Sequence, residues 1–214
     1  MENKKVLVAV ATKKEFLLIC EELAQHFTAA EKEKTGEHLS DNEYRAYAGN
    51  GLYIEVRCVG VGYLQAALTC NEYFNRTETL PVWVVNAGFC VADSKHFKPG
   101  TVVHPATVMQ YDFNLPDYYN QHAHLLHIWG NRYQMMQSMN YVPEINESNA
   151  AILQLCDMEA FGVALACKQK RIKVVLYKKV APNADIQMIH SPLLAASPSQ
   201  HFKEFPDWLK QFIK

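Results

Sequence analysis

The sequence predicts an α/β domain with a layered sheet, on three observations. Val6 to Ala11 (VLVAVA), Pro81 to Gly88 (PVWVVNAG) and Val174 to Val180 are short, nearly continuous apolar runs. Such runs read as strands buried on both faces. Segments of helical periodicity alternate with them, the pattern of helices packed on a sheet. Finally, 214 residues, 49% of them hydrophobic, suit one domain with a large core, and no repeat, low-complexity stretch or linker divides residues 1–214.

Taken in order, the Val6 to Ala11 strand leads to Thr12, with Glu15 three residues later in capping-box spacing. Phe16, Leu17, Ile19, Cys20 and Leu23 then form a helical apolar face. Glu31 to Asn42 is polar and reads as a loop. Tyr44 to Tyr47 and Leu52 to Cys58 flank Gly49-Asn50-Gly51, a hairpin signal. Gly60-Val61-Gly62 precedes a helix over Tyr63 to Phe74. After the Pro81 to Gly88 strand, Lys98-Pro99-Gly100 is a turn and Thr101 to Asp112 reads as one long strand. His124 to Gly130 fits a strand, and Gln134 to Tyr141 a helical turn or loop. Asp157 to Arg171 is a strong helix with Asp157 as its N-cap. Phe202 to Ile213 is a terminal amphipathic helix.

Composition narrows the partners. There are 21 basic and 22 acidic residues, for a net charge of -1, and no block of like charge stands out apart from Lys13-Lys14, Lys168 to Lys173 and Lys178-Lys179. A nucleic-acid surface is not suggested, although an anion the size of a nucleotide fits such clusters. The six cysteines are scattered without a C-x-x-C pair, which fits a reducing compartment. The Met-Glu-Asn-Lys-Lys start does not resemble a signal peptide, and no apolar stretch is long enough to span a bilayer. A cytoplasmic protein with no membrane partner is expected.

In layered α/β sheets ligands bind beyond the carboxyl ends of the strands. Several candidates fall there: Thr12 and Glu15, Gly60-Val61-Gly62, Asn86-Ala87-Gly88-Phe89, and Met158-Glu159 at the start of the last long helix. Glycines at strand ends let backbone approach a ligand closely. A carboxylate such as Glu159 accepts two hydrogen bonds from a sugar diol, and Met158 offers a flexible apolar surface for a furanose. Each has a plainer reading. The glycines suit a tight turn, Glu15 a helix cap, and Glu159 a residue complementing a helix dipole.

The order and local sequence of these pieces resemble the methylthioadenosine/adenosylhomocysteine nucleosidase branch of the nucleoside phosphorylase family. VLVAVATKKEF is similar to its opening strand and acidic turn, and VGVGYLQAAL to its S-G-x-G-x-x-x-A-A segment. VVNAGFCVAD is similar to its N-T-G-x-A-G-G turn, and FKPGTVV to the K-x-G-D-x-V segment after that turn. VMQYDFN resembles its strand ending in an aromatic residue and Asp, and DMEAFGVALACKQKRIKVVLYKKVAPNAD its D-M-E-A helix and next strand. The match spans roughly residues 5–114 and 156–185.

The resemblance implies a three-layer phosphorylase/hydrolase-like fold with a central mixed sheet flanked by helices. It implies cleavage of the N-glycosidic bond of a purine-type ribonucleoside by water or phosphate. Glu159 then holds the sugar hydroxyls and stabilises an oxocarbenium-like transition state, and Glu15 is the general base. Met158 packs on the sugar, Tyr133 stacks on the base, and Gly62, Gly88 and Phe89 line the site. No cofactor or metal is expected, and a homodimer is, with Leu115 to Tyr141 supplying interface surface.

This chain also departs from the pattern. Where the family has R-A-x-S-D, whose aspartate protonates the leaving purine, the chain has Lys178-Lys179-Val180-Ala181-Pro182. Proline donates no proton, which leaves Asn183 or Asp185 to substitute if the loop shifts. Phe89 stands where a serine often faces the nucleophile, and Asn86 where phosphorolytic members use arginine. A nucleoside-binding protein with impaired catalysis is therefore the alternative, and an unrelated doubly wound nucleotide binder a third reading. His122, His124 and His127 share an H-x-H-x-x-H spacing, but no acidic or cysteine partner accompanies them, so a solvated loop is expected.

Overall fold

The computed structural model describes residues 4–29, 43–93, 95–111, 125–139, 154–181 and 202–214. At its centre β1 (Lys4–Val10) lies parallel to β4 (Leu52–Cys58) on one side and to β5 (Trp83–Ala92) on the other. β11 (Lys173–Val180) runs parallel along the opposite side of β5, from Lys173 beside Trp83 to Val180 beside Cys90. The apolar runs are thus buried on both faces: Val6 to Val10 are all at most 1% exposed.

Further antiparallel and parallel pairings complete a mixed sheet. β3 (Glu43–Gly49) forms a hairpin with β4, and β2 (Thr28–Ala29) pairs at the edge of β3. Asn50 (φ 51°) and Gly51 (φ 74°) take the two left-handed positions that a tight hairpin requires. Beyond the pairing with β1, β5 continues to Ala92 and meets β10 (Leu155–Asp157) antiparallel. β10 in turn joins β9 (Asn131–Ser138), β7 (Pro105–Gln110) and β8 (Leu125–His127). β6 (Val102–Val103) pairs with β11.

Helices cover both faces. α1 (Lys13–His26) and α4 (Phe205–Phe212) bury Phe16, Ile19, Leu23, Phe205 and Leu209 against Val6, Val8, Val85 and Val175. α2 (Tyr63–Arg76) and α3 (Ala160–Lys170) pack on the other face, against Leu7, Val84 and Leu176. Full burial of a side chain such as Leu23 or Leu209 contributes about 1.5–3 kcal/mol relative to exposure. The three-layer α/β architecture expected from the sequence is the one observed.

Four local expectations are corrected. Thr101 to Asp112 is not one strand: the chain leaves β11 after Val103 and joins β9 from Pro105, and proline cannot donate in a continuous ladder. Gln134 to Tyr141 is neither helix nor loop as far as Ser138, because β7 and β10 flank that segment. Asp157 ends a strand and the helix begins at Ala160. The terminal helix is confined to Phe205–Phe212. The Glu31 to Asn42 loop, residues 115–124 and 140–141 of the expected interface stretch, His122 and His124 lie outside the described residues. No described helix is long and apolar enough to cross a membrane, and no metal-binding group of His, Cys, Asp or Glu occurs among the described residues.

Candidate active site

The carboxyl end of β1 sets the first side chain. Thr12 caps α1 and accepts from the Glu15 amide at 3.2 Å, while its own amide donates to Glu15 Oε2 at 3.0 Å. That is a complete capping box, which satisfies otherwise unpaired helix donors. It uses only one carboxylate oxygen. The other, Oε1, accepts from the Phe89 amide on β5 at 3.0 Å. Gly88 makes this approach possible, since a Cβ there would sit 2.6 Å from Glu15 Oε1. Glu15 is therefore both a helix cap and a carboxylate fixed at the end of the sheet, 4% exposed.

The second carboxylate arrives from the other helical layer. Glu159 occupies the N-cap position of α3, yet its side chain caps nothing in that helix. Its Oε1 accepts instead from the amide of Gly62, at 3.2 Å. Gly62 holds φ 91° at the start of α2, a conformation that favours glycine. Gly162 allows the two helices to come this close, because any Cβ there would collide with the Tyr63 carbonyl. The sequence of α3 thus places a carboxylate and the glycine that lets it reach its donor within one turn.

Lys178 and Asp157 complete the cluster. Lys178 sits beside Gly88 in the β5–β11 register and is 1% exposed. Its ammonium pairs with Asp157 Oδ2 at 2.8 Å. Asp157 also accepts from Ser138 Oγ at 2.6 Å and from the Ala160 amide at 3.0 Å. Burial disfavours the Lys178 charge, but the surrounding carboxylates of Asp157, Glu159 and Glu15 outweigh it and hold the group above the usual lysine range. For Glu159, burial dominates instead. It pushes the pKa up to about 8, Asp157 and Glu15 add repulsion, and Lys178 and the Gly62 amide oppose the shift.

The fold thus brings Glu15, Gly62, Gly88 and Glu159 together from four separate stretches of chain. Other expected residues are placed differently. Met158 is half-buried and packs with Val91, Met139 and Cys156. Phe89 contributes its amide, but its ring turns to the opposite layer, 5.0 Å from the ring of Phe202. Tyr133 is 91% exposed near the amino end of β9, while the other end of that strand, at Ser138, meets Asp157. The strand direction explains its separation from Asp157. Asn183 and Asp185, like Pro182, lie outside the described residues.

Sequence reasoning misses three members of the cluster: Lys178, Asp157 and Ser138. A lysine two residues before the end of a buried strand is a signal, because a charge is rarely fully buried unless paired. Asn86 is also fully buried, and its carboxamide donates to the Ala9 carbonyl at 3.1 Å within the sheet.

No protein-family model matches the sequence, and no curated protein is similar to it in sequence. Solved structures match it in fold over nearly the whole chain. A Helicobacter pylori methylthioadenosine/adenosylhomocysteine nucleosidase in complex with a small-molecule ligand superposes with a TM-score of 0.73 at 14% identity, covering 100% of this chain and 99% of the other. A mutant futalosine hydrolase of the same organism gives 0.71 at 14% identity, with 98% of each chain covered. The Arabidopsis thaliana methylthioadenosine nucleosidase in its apo form gives 0.71 at 17% identity, with 100% and 96% covered. The shared property is the fold, which is the fold the sequence resemblance implies.

Proposed function

We propose that this chain binds a purine-type ribonucleoside and hydrolyses its N-glycosidic bond. The observation that carries this reading is the pair of buried carboxylates, Glu15 and Glu159, each anchored by a backbone amide beside a site glycine. In this reading Glu159 takes the ribose diol and Glu15 orients and deprotonates the attacking water. Among the described residues Glu15, Asp157 and Glu159 surround one ammonium, Lys178, so the site turns negative once Glu159 loses its proton. That favours a transition state in which positive charge develops on the sugar. Water rather than phosphate is the nucleophile, because Asn86 is engaged within the sheet and supplies no anion clamp.

Pro182 occupies the position of the leaving-group acid, so Asp185 has to supply the proton, and Asn183 can offer the leaving base only a hydrogen bond. A nucleoside-binding protein with weak catalysis is the second reading, favoured by this proline. Calorimetry with methylthioadenosine and an adenine-release assay test both. Glu159→Gln is expected to weaken nucleoside binding by about 1–3 kcal/mol, since the carboxamide no longer matches the diol hydroxyls in a buried site. Unchanged affinity removes Glu159 from the site and the proposal with it. Binding with little turnover in the wild type, and a gain in Pro182→Asp, supports the second reading. Wild-type turnover at about 1–10³ s⁻¹ supports the enzyme and points to Asp185 as the acid.

A further inference from the structure

The opposite end of the sheet carries a cavity of about 700 Å³ that the proposed reaction does not use. It opens between the amino ends of β5 and β11 and the carboxyl end of α3. The register separates it from the first site: Trp83 faces Lys173 at one end, and Gly88 faces Lys178 five residues further on. At about 3.3 Å per residue that is roughly 17 Å along the strands.

The chemistry of its lining is selective. Leu126, Ile128, Ile172 and Val174 provide an apolar floor, and Lys168, Arg171 and Lys173 provide cations. No carboxylate lines it among the described residues, and none of the three cations has an ion-pair partner there. Lys168 complements the dipole in the last turn of α3, whereas Arg171 is its C-cap and Lys173 already lies on β11. The Arg171 and Ile172 amides already donate to the Lys168 and Cys167 carbonyls, at 3.1 and 2.9 Å. The wall of the cavity is an indole. Trp129 leaves 57% of its surface open, yet it is held edge-on by Trp83 at 5.9 Å and Phe212 at 5.3 Å. Its amide donates to the Val174 carbonyl at 3.1 Å. An exposed aromatic ring braced in this way loses little freedom when a flat ligand covers it.

We infer that this cavity binds a nucleotide, with the base against Trp129 and the phosphate on Lys168, Arg171 and Lys173. A cavity of this volume lies within the range of small-molecule sites. Base–indole stacking and cationic capture of phosphate are the two contacts its lining offers. A ring without charge, or a phosphate without a ring, satisfies only half of it.

2′-Deoxyadenosine 5′-monophosphate is a suitable probe, because it lacks the vicinal diol that Glu159 is proposed to hold. Calorimetry on the full chain is expected to show it binding at least tenfold more tightly than deoxyadenosine or inorganic phosphate, with quenching of tryptophan fluorescence. Lys168→Glu with Lys173→Glu should weaken binding at least tenfold. Arg171→Asn, which tolerates the left-handed backbone at φ 56°, should weaken it with the fold intact. Glu159→Gln should leave it unchanged, so that failure here and failure of the proposed reaction are separable. Binding no tighter than that of phosphate alone would overturn the inference. So would binding that survives the lysine reversals but is lost in Glu159→Gln.

Discussion

Glu159→Gln should change how the stability of this protein depends on pH. Glu159 is 6% exposed, and burial among Asp157 and Glu15 raises its pKa from an ordinary 4.5 to about 8. The folded chain therefore holds this proton more tightly than the unfolded chain does. Its contribution to stability is fully present below pH 4.5 and is lost as pH rises toward 8. Each pH unit in that window is worth about 1.4 kcal/mol. From about pH 5 to pH 8 the wild type should thus lose roughly 3 kcal/mol relative to the glutamine variant, which carries no charge at either pH. For a chain of this size that corresponds to roughly 6–12 °C in Tm. Glu22, also pushed up by burial, contributes with the same sign in both proteins and cancels in the difference. Lys178, held above the lysine range, titrates outside the window. Urea melts of both proteins at about pH 5, 6, 7 and 8 provide the measurement. Parallel curves, with a difference constant to within about 0.5 kcal/mol, would mean that Lys178 keeps Glu159 ionised at neutral pH.

Gly162→Ala should cost about 1–3 kcal/mol by overpacking against the Tyr63 carbonyl and should also weaken nucleoside binding, by moving Gly62 from Glu159; a variant as stable as the wild type would show that α2 and α3 adjust freely. Leu64 and Leu68, 63% and 57% exposed one turn apart on α2, form an apolar stripe beside Gly62 that a second copy of the chain is proposed to cover. Light scattering at micromolar concentration should give a dimer, and Leu64→Glu with Leu68→Glu a monomer; a monomeric wild type would refute this.

The layered fold is legible because its strands are buried on both faces, and such strands read as apolar runs whatever surrounds them. Thr12 and Glu15 are legible as a cap because that spacing is local. Two kinds of feature are not. β9 escapes because QMMQS carries no alternation: its neighbours β7 and β10 make it a strand, and they lie far away in sequence. Its direction in turn keeps Tyr133 away from Asp157. The pairing of Lys178 with Asp157 escapes for a related reason. Asp157 reads as a helix cap, and its carboxylate does accept from Ala160. Nothing local says that the same oxygen also meets a lysine from β11. A residue with one sufficient local explanation conceals its distant partner.

That pair governs the site, and removing it in steps tests how. Among the described residues Lys178 is the one ammonium beside Asp157, Glu159 and Glu15. Lys178→Met leaves Asp157 buried with the Ser138 hydroxyl and the Ala160 amide as its donors. Breaking a buried ion pair from one side typically costs about 3–5 kcal/mol, because an uncompensated charge remains. Lys178→Met with Asp157→Asn removes both charges, and the new carboxamide oxygen can still accept from the Ala160 amide. The double variant should therefore recover most of the loss, giving a coupling of about 2–4 kcal/mol in a double-mutant cycle. The single variant carries a second consequence. Lys178 is the leading influence holding the Glu159 pKa down against burial. Without it Glu159 should keep its proton to higher pH, and the loss of stability that begins near pH 4.5 should continue to higher pH than in the wild type. Additive energies in the cycle, together with an unmoved pH profile, would mean that Lys178 is a buried strand residue with no hold on the carboxylates around it.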